Sequence, residues 1–407
     1  MNKLYQFPLL AVVFATVMAV RSLAAEPQLT KADLFTAGEE GYALYRIPGI
    51  VATKRGTLLA YCEARKSDRG DWGTIDVLLR RSADGGKNWG PRQHIAHHGD
   101  KVPKNAVALA QKLATEGEQT VNNPVLIAAR DGAVHFLYCV EYARCFYCRS
   151  DDDGETFSKP IDITSAFERF RADYDWKVLA TGPAHGIELR SGRLVVPVWL
   201  STGTGGHAHR PSVTSTIFSD DQGRTWQRGE IAAPNTDEWV NPNETVVVEL
   251  ADGRVMLNVR SESKNHRRLV VTSPDGATQW SRPRFQEELL EPICMASLVR
   301  YSLAKDGGKN RLLFANPHNL ERADGKGKPG VGRDRKNLSL KLSEDDGATW
   351  PVSRTLEPGF SGYSDLAVGP DQSIYCFYER GSTDGKNIYK TGSLTVAKFN
   401  LEWVKGE

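Results

Sequence analysis

Very little in this sequence carries a surplus charge of one sign. Its 52 Lys and Arg face 50 Asp and Glu, a formal +2 over 407 residues. No long basic run interrupts the mixture, so the footprint of a nucleic-acid binder is absent. Cysteine is scarce: Cys62, Cys139, Cys145, Cys148, Cys294 and Cys376. An even count in an exported chain permits disulfides without fixing their pairing. The single Cys-x-x-C, Cys145 and Cys148, lies in the strand-like "VEYARCFYCRS". Residues three apart on a strand face opposite sides, so buried, inert thiols are expected there. Beyond the first 25 residues no apolar run is long enough to span a bilayer. Helical periodicity is confined to "KNAVALAQKLATEGE" and "SAFERFRADYDW". What is plentiful is Gly, at 37, and Trp, at nine, which points to many turns and many aromatic anchors.

The first residues, "MNKLYQFPLLAVVFATVMAVRSLAAEPQ", have the form of a secretory signal. Lys3 gives the positive start, Phe7 to Val20 the short apolar core, and Ser22-Leu23-Ala24 the small residues at a cleavage site. Residues 1–25 are therefore expected to be removed on export, to a secreted or periplasmic location. Residues 26–407 are expected to form one domain.

A phrase recurs through that domain. "SADGGKNW" starts at Ser82, "SDDDGETF" at Ser150, "SDDQGRTW" at Ser219, "SPDGATQW" at Ser273 and "SEDDGATW" at Ser343. The starts are 68, 69, 54 and 70 residues apart, and a near-fixed period marks a repeat architecture. A strand-like run precedes each phrase, such as "TIDVLLRRS" and "NLSLKLS". Further short runs, among them "GTLLAYCEAR", "GRLVVPVWL" and "SIYCFYER", fill the intervals. About four strands per repeat is the content of a propeller blade. The expected fold is all-β, a six-bladed propeller of four-stranded antiparallel blades. The late run "SLTVAKFNLEW" is a further β-like segment, suited to pairing with the N-terminal strands and closing the ring. The phrase itself suits a tight turn: Ser and Asp bind nearby backbone N–H groups, Gly takes a special φ, and Trp plugs the turn into its blade. A calcium loop would need a Glu at its twelfth position, which is missing. The turn in "SPDGATQW" has lost the Gly register and is expected to be distorted.

Residues that do not repeat carry the chemistry. "YRIPGIV" holds Arg46, and "YCEARKSDRGDWGTIDV" holds Arg65 and Asp71. "NPNETVVVELADGRVMLNVR" holds Glu244 and Arg260, and "GRDRKNLSLKL" holds Arg335. "GFSGYSDLAV" holds Tyr363 and "YCFYERG" holds Glu379. Each lies at or near the end of a β-like run, and on a propeller such ends can meet at one mouth of the channel.

With these residues and the Asp-box phrase, the chain resembles the sialidase (exo-α-sialidase, neuraminidase) family across nearly all of residues 26–407. The resemblance implies a six-bladed propeller and hydrolysis of terminal α-linked sialic acid with retention. It implies that Arg46, Arg260 and Arg335 clamp the substrate carboxylate, for which bidentate, permanently charged guanidiniums are suited. It further implies that Glu379 orients Arg46, Tyr363 is the nucleophile, Glu244 its base, and Asp71 the acid and then the base. Sialidases with a Tyr nucleophile depart from the two-carboxylate pattern of glycosidases. Arg65 resembles the family's additional arginine beside the sugar. Asp68 and Asp76 are the rivals of Asp71, Trp72 is a candidate wall, and His185 in "TGPAHGIEL" a candidate ligand contact. His207 and His209 form an H-x-H without the remainder of a metal pattern. No metal or cofactor is implied. No acid in "VNNPVLIAARDG" matches the one many members aim at the sugar's O4. The resemblance makes sialylated glycans the partner. Two rivals remain: a glycosidase for deaminated sialic acid or another 2-keto-3-deoxy acid sugar, and a glycan-binding propeller without catalysis. A lectin has no use for a nucleophile, base and acid together.

Overall fold

A computed structural model of the chain describes Met1 and residues 26–407; apart from Met1, the expected signal segment lies outside the described residues. The described residues are organised as β-sheet. Helix is limited there to Ala106–Ala110, Thr164–Glu168, Leu401–Lys405 and three short 3-10 turns. No described helix is long and apolar enough to cross a membrane.

The building unit is four strands in chain order, each antiparallel to the last. Leu44–Ala52, Leu58–Arg65, Ile75–Ser82 and Gln93–His94 form one such sheet. Thr245–Glu249, Val255–Val259, Arg267–Ser273 and Arg284–Leu290 form another. Two sheets add a short fifth strand, Ala184–His185 beside Val121–Ala128 and Ile187–Glu188 beside Leu194–Ser201. The last sheet has seven strands because Val352–Val368, 17 residues long, serves two units. Its first part pairs with Lys336–Ser343 and its second with Ile374–Ser382. At the outer edge of this sheet Leu29–Thr36 pairs with Thr391–Phe399. The two ends of the described domain are thus joined by main-chain hydrogen bonds, which covers an otherwise open edge. The chain then departs from its β-like pattern. Leu401–Lys405 is a helix, started by the Asn400 side chain accepting from the Trp403 N–H and stopped by left-handed Gly406. A side-chain cap at one end and a glycine at the other outweigh the apolar alternation.

The strands are buried along their whole length where two sheets face each other. All eight residues of Leu58–Arg65 are buried. Leu59, Tyr61 and Val77 of one sheet pack on Leu126, Phe136 and Tyr138 of the next. The six cysteines are buried free thiols, with Cys145 and Cys148 in different core clusters, as opposite strand faces require.

The repeated phrase is a turn. Ser343 Oγ donates to Asp345 at 2.8 Å and accepts from the Gly347 N–H at 2.8 Å. Asp345 also accepts from the Thr349 N–H at 2.9 Å. Asp346, the second aspartate, accepts from the Ala251 N–H of the neighbouring sheet at 2.8 Å. In the degenerate copy the turn is a residue shorter but keeps its bonds. The Gly276 N–H reaches Ser273 Oγ at 3.0 Å and the Thr278 N–H reaches Asp275 at 2.8 Å. The expected distortion is a deletion that the turn absorbs. Lys336–Ser343 begins beside Arg335 and ends at its turn, so eight residues, roughly 25 Å, separate that turn from the arginine.

Candidate active site

The site is assembled from strand ends. Arg46 lies near the start of the strand Leu44–Ala52, where a bulge between Arg46 and Gly49 interrupts the pairing. Ile47, inside the bulge, has φ 58°, rare for a β-branched residue. Bulges re-aim side chains next to functional sites. Here the bulge leaves the Ile47 N–H free to donate to Glu379 at 3.3 Å. Arg46 reaches the same carboxylate through Nε at 2.9 Å and Nη2 at 3.2 Å. The Tyr363 N–H donates to it at 3.0 Å. Glu379 therefore fixes both an arginine and the backbone beneath the tyrosine. Gly362 is required for this contact, since a Cβ there would collide with the Glu379 carboxylate.

Glu244 precedes one strand of a hairpin and Arg260 follows its partner, and the Arg260 N–H donates to the Glu244 carbonyl at 3.0 Å. The two side chains form an ion pair. The Tyr363 hydroxyl donates to the Glu244 carboxylate, with its oxygen 2.6 and 2.7 Å from the two carboxylate oxygens. It accepts from Arg260 at 2.8 Å. Burial and the adjacent Glu244 charge hold the phenol well above its ordinary pKa, against the opposing pull of Arg260 and Arg335. It is a neutral phenol with a base in contact and a cation beside its oxygen.

Arg335 differs from the other two arginines. It is 3% exposed and donates through Nη2 to the Ile293 carbonyl at 2.7 Å. No carboxylate pairs with it among the described residues, and its Nε and Nη1 are buried without a partner.

Asp71 reaches the cavity from the loop after Leu58–Arg65. Arg65 holds it at 2.8 Å and holds buried Glu63 at 2.7 Å. Loss of water raises the Asp71 pKa, but Arg65, His209 and Arg46 outweigh it and keep the carboxyl well below the usual range. Its side chain remains 40% accessible.

These groups line a cavity of about 220 Å³ with Arg46, Arg260, Arg335, Glu244, Tyr363 and Asp71 on its wall. Arg65 and Glu379 stand behind it, each holding a residue that faces it. The rest of the wall includes Asn123, Tyr142, Trp199, His207 and His209, and the paired Arg210 and Glu262. His209 lies against Trp72, Tyr142 and Trp199, with centroids 5.5, 5.1 and 5.2 Å away. Burial lowers its pKa to about 4. The sequence offered His207 and His209 only as an H-x-H; the loop places both at the cavity. Among the described residues no three metal-ligating side chains converge.

The alternatives weighed for this region fall elsewhere. Asp68 pairs with Lys390 at 3.2 Å, and Asp76 accepts from Tyr42 at 2.8 Å. Trp72 packs behind Tyr142 in a core cluster. His185 is 2.7 Å from Asp365 and lines a second cavity of about 370 Å³ with Ile50, Leu250 and Leu298.

Sequence reasoning missed Tyr389. It lines the cavity, half exposed, with its ring centroid 5.5 Å from the Arg46 guanidinium and 4.7 Å from that of Arg335. A signal for it was present. "STDGKNIY", from Ser382, has the spacing of the shortened "SPDGATQW", with Tyr389 where Trp280 stands. The bonds match too: Ser382 Oγ donates to Asp384 at 2.8 Å, and the Asn387 N–H to Asp384 at 3.0 Å. This turn follows Ile374–Ser382, the strand that carries Glu379, so it lies at the site's end of its sheet.

An all-β scaffold that gathers three arginines, a phenol and two carboxylates from separate sheets defines a protein with a preformed polar pocket. The BNR repeat-like domain family matches residues 56–376, and the chain belongs to this family. It is 30% identical over 396 residues to a sialidase of Micromonospora viridifaciens, covering 94% of this chain and 55% of that protein. It is 30% identical over 360 residues to a sialidase of Bacteroides fragilis, covering 84% of this chain and 61% of the other. The chain thus spans little more than half the length of these curated relatives. The solved structure of the Hadza microbial sialidase Hz136 aligns with a TM-score of 0.70 and 26% identity, over 92% of this chain and 69% of that one.

Proposed function

We propose that this chain is a retaining exo-α-sialidase acting on sialylated glycans, and that its four-stranded units, with Val352–Val368 shared between two, are six blades of a propeller. The carrying observation is the Tyr363 hydroxyl, which donates to Glu244 and accepts from Arg260. In the first step the Tyr363 oxygen bonds to the anomeric carbon as its proton passes to Glu244. Asp71, which Arg65 keeps ionised before substrate binds, takes up a proton in the substrate complex and gives it to the departing glycosidic oxygen. In the second step Asp71 takes a proton from water, whose oxygen displaces Tyr363. The phenol recovers its proton from Glu244. Two inversions at one carbon give net retention. Arg46, Arg260 and Arg335 bind the carboxylate on that carbon, where a phenol avoids the repulsion that a second carboxylate would meet.

The test is release of fluorophore from an α-sialoside, with the product anomer followed by NMR. Early appearance of the α-anomer supports the reading, and the β-anomer or no turnover overturns it. In Tyr363→Phe, kcat is expected to fall at least 100-fold, and full activity would remove Tyr363 as nucleophile. A deaminated substrate turned over much faster than the N-acetylated one would favour the related acid-sugar reading instead. The six-blade arrangement is overturned by a crystal structure whose first and last units do not abut around one channel. Export is tested by N-terminal sequencing of protein recovered outside the cytoplasm, expected to start near residue 26. Retention of Met1 would overturn it.

A further inference from the structure

We propose that Tyr389 is a positioning residue of the carboxylate clamp, holding Arg335 through its ring face in the place where the other two arginines have a carboxylate. This rests on the sialidase reading of the same pocket.

The three arginines are not equivalent. Arg46 is neutralised by Glu379, to which it donates two hydrogen bonds, and Arg260 by Glu244. Three cations against two carboxylates leave one positive charge uncompensated, and it falls on Arg335. A third carboxylate would fix Arg335 in direction but cancel the charge needed to attract an anion. An aromatic face attracts a guanidinium through its quadrupole and carries no net charge. Tyr363 and Tyr389 both stand by Arg335, with ring centroids 5.1 and 4.7 Å from the guanidinium carbon. Tyr363 is committed to Glu244. Tyr389 is the ring whose position is set independently, by the turn at Ser382, in which Asp384 and Ser382 fix the backbone.

The same turn chemistry has two uses in this chain. At Ser343 it puts Trp350 against Phe314, 5.8 Å between centroids, in the core. At Ser382 the shortened form puts Tyr389 on the arginines, with half its surface open to solvent. Nε and Nη1 of Arg335 have no partner among the described residues, so these donors are not committed to the protein. Lys390 ties this loop to Asp68 at 3.2 Å, in the loop that bears Asp71, so the aromatic and the acid are held to one frame.

The experiment compares Tyr389→Phe, Tyr389→Leu and Tyr389→Ala with the unaltered protein. It reads KM and kcat on a fluorogenic α-sialoside and the Kd of free sialic acid by calorimetry, with a thermal melt for each variant. Tyr389→Leu and Tyr389→Ala are expected to raise KM and Kd about tenfold with kcat within about twofold, and Tyr389→Phe to restore both constants. Leu performing as well as Phe would reduce Tyr389 to bulk, and Phe as poor as Ala would make the hydroxyl the working group; either overturns the proposal, as do unchanged constants in all three. Binding of free sialic acid that follows this pattern without any turnover would sustain the clamp and overturn only the hydrolytic reading.

Discussion

Glu379 and Arg46 are 333 residues apart in the chain and share two hydrogen bonds, at 2.9 and 3.2 Å. The same carboxylate accepts from the Tyr363 N–H. One buried acid thus sets the relation between an arginine from the first sheet and the tyrosine from the last. Four consequences elsewhere in the site and scaffold can be measured.

The proposed role of Asp71 as proton donor would make activity depend on the leaving group. Asp71→Asn is expected to lower kcat/KM roughly 10²- to 10⁴-fold for a saccharide leaving group. An aryl leaving group, which departs as a stable anion, should lose far less. Equal losses on the two substrates would move the acid role to another residue.

Arg65 and Glu63 form a fully buried pair at 2.7 Å. Removing one partner of such a pair costs about 3–5 kcal/mol, because the other charge is stranded. Arg65→Met should therefore lower the urea midpoint sharply. Adding Glu63→Gln should recover a substantial part of the loss. A double variant as unstable as the single would show that the stranded charge is not the cause.

His209 makes stability depend on pH in a set direction. Burial lowers its pKa to about 4, against about 6.5 unfolded. Between those values the unfolded chain binds the extra proton, so stability falls as pH drops from about 6.5 toward 4. His209→Gln should lose less melting temperature than the parent between pH 7 and pH 4.5. An identical loss would show that His209 does not titrate in this window.

Asp345 serves the scaffold. It accepts from Ser343 Oγ, the Thr349 N–H and Thr349 Oγ1 at 2.8, 2.9 and 2.5 Å. Asp345→Ala leaves donors unpaired, at a cost of about 1–3 kcal/mol each where they stay dry. The expected result is a lower melting temperature with KM unchanged, since the turn is roughly 25 Å from Arg335. A raised KM at full stability would give the phrase a role at the site.

The sequence exposed the strand content and the repeat because both are local. Ser, Asp and Gly close a turn within eight residues, and apolar runs declare strands wherever the neighbouring sheet lies. The resemblance nominated Arg46, Asp71, Glu244, Arg260, Arg335, Tyr363 and Glu379 as a set. His207, His209 and Tyr389 were harder to see. A polar loop with two histidines looks the same whether it meets a cavity or water. Tyr389 was hidden because its turn is the shortened variant and lies at the other end of a strand from its copies.

By itself, then, the sequence determined the turns, the strands and the kinds of side chain available for chemistry, since these depend on residues within one strand or turn. Tertiary structure decided their pairing: that Arg65 stands behind Asp71, that Glu379 serves both Arg46 and Tyr363, and that Arg335 faces aromatic rings with no counter-ion among the described residues. Those relations join residues up to hundreds of positions apart. They are fixed by sheets packing face to face, and no local pattern encodes which strand ends will meet.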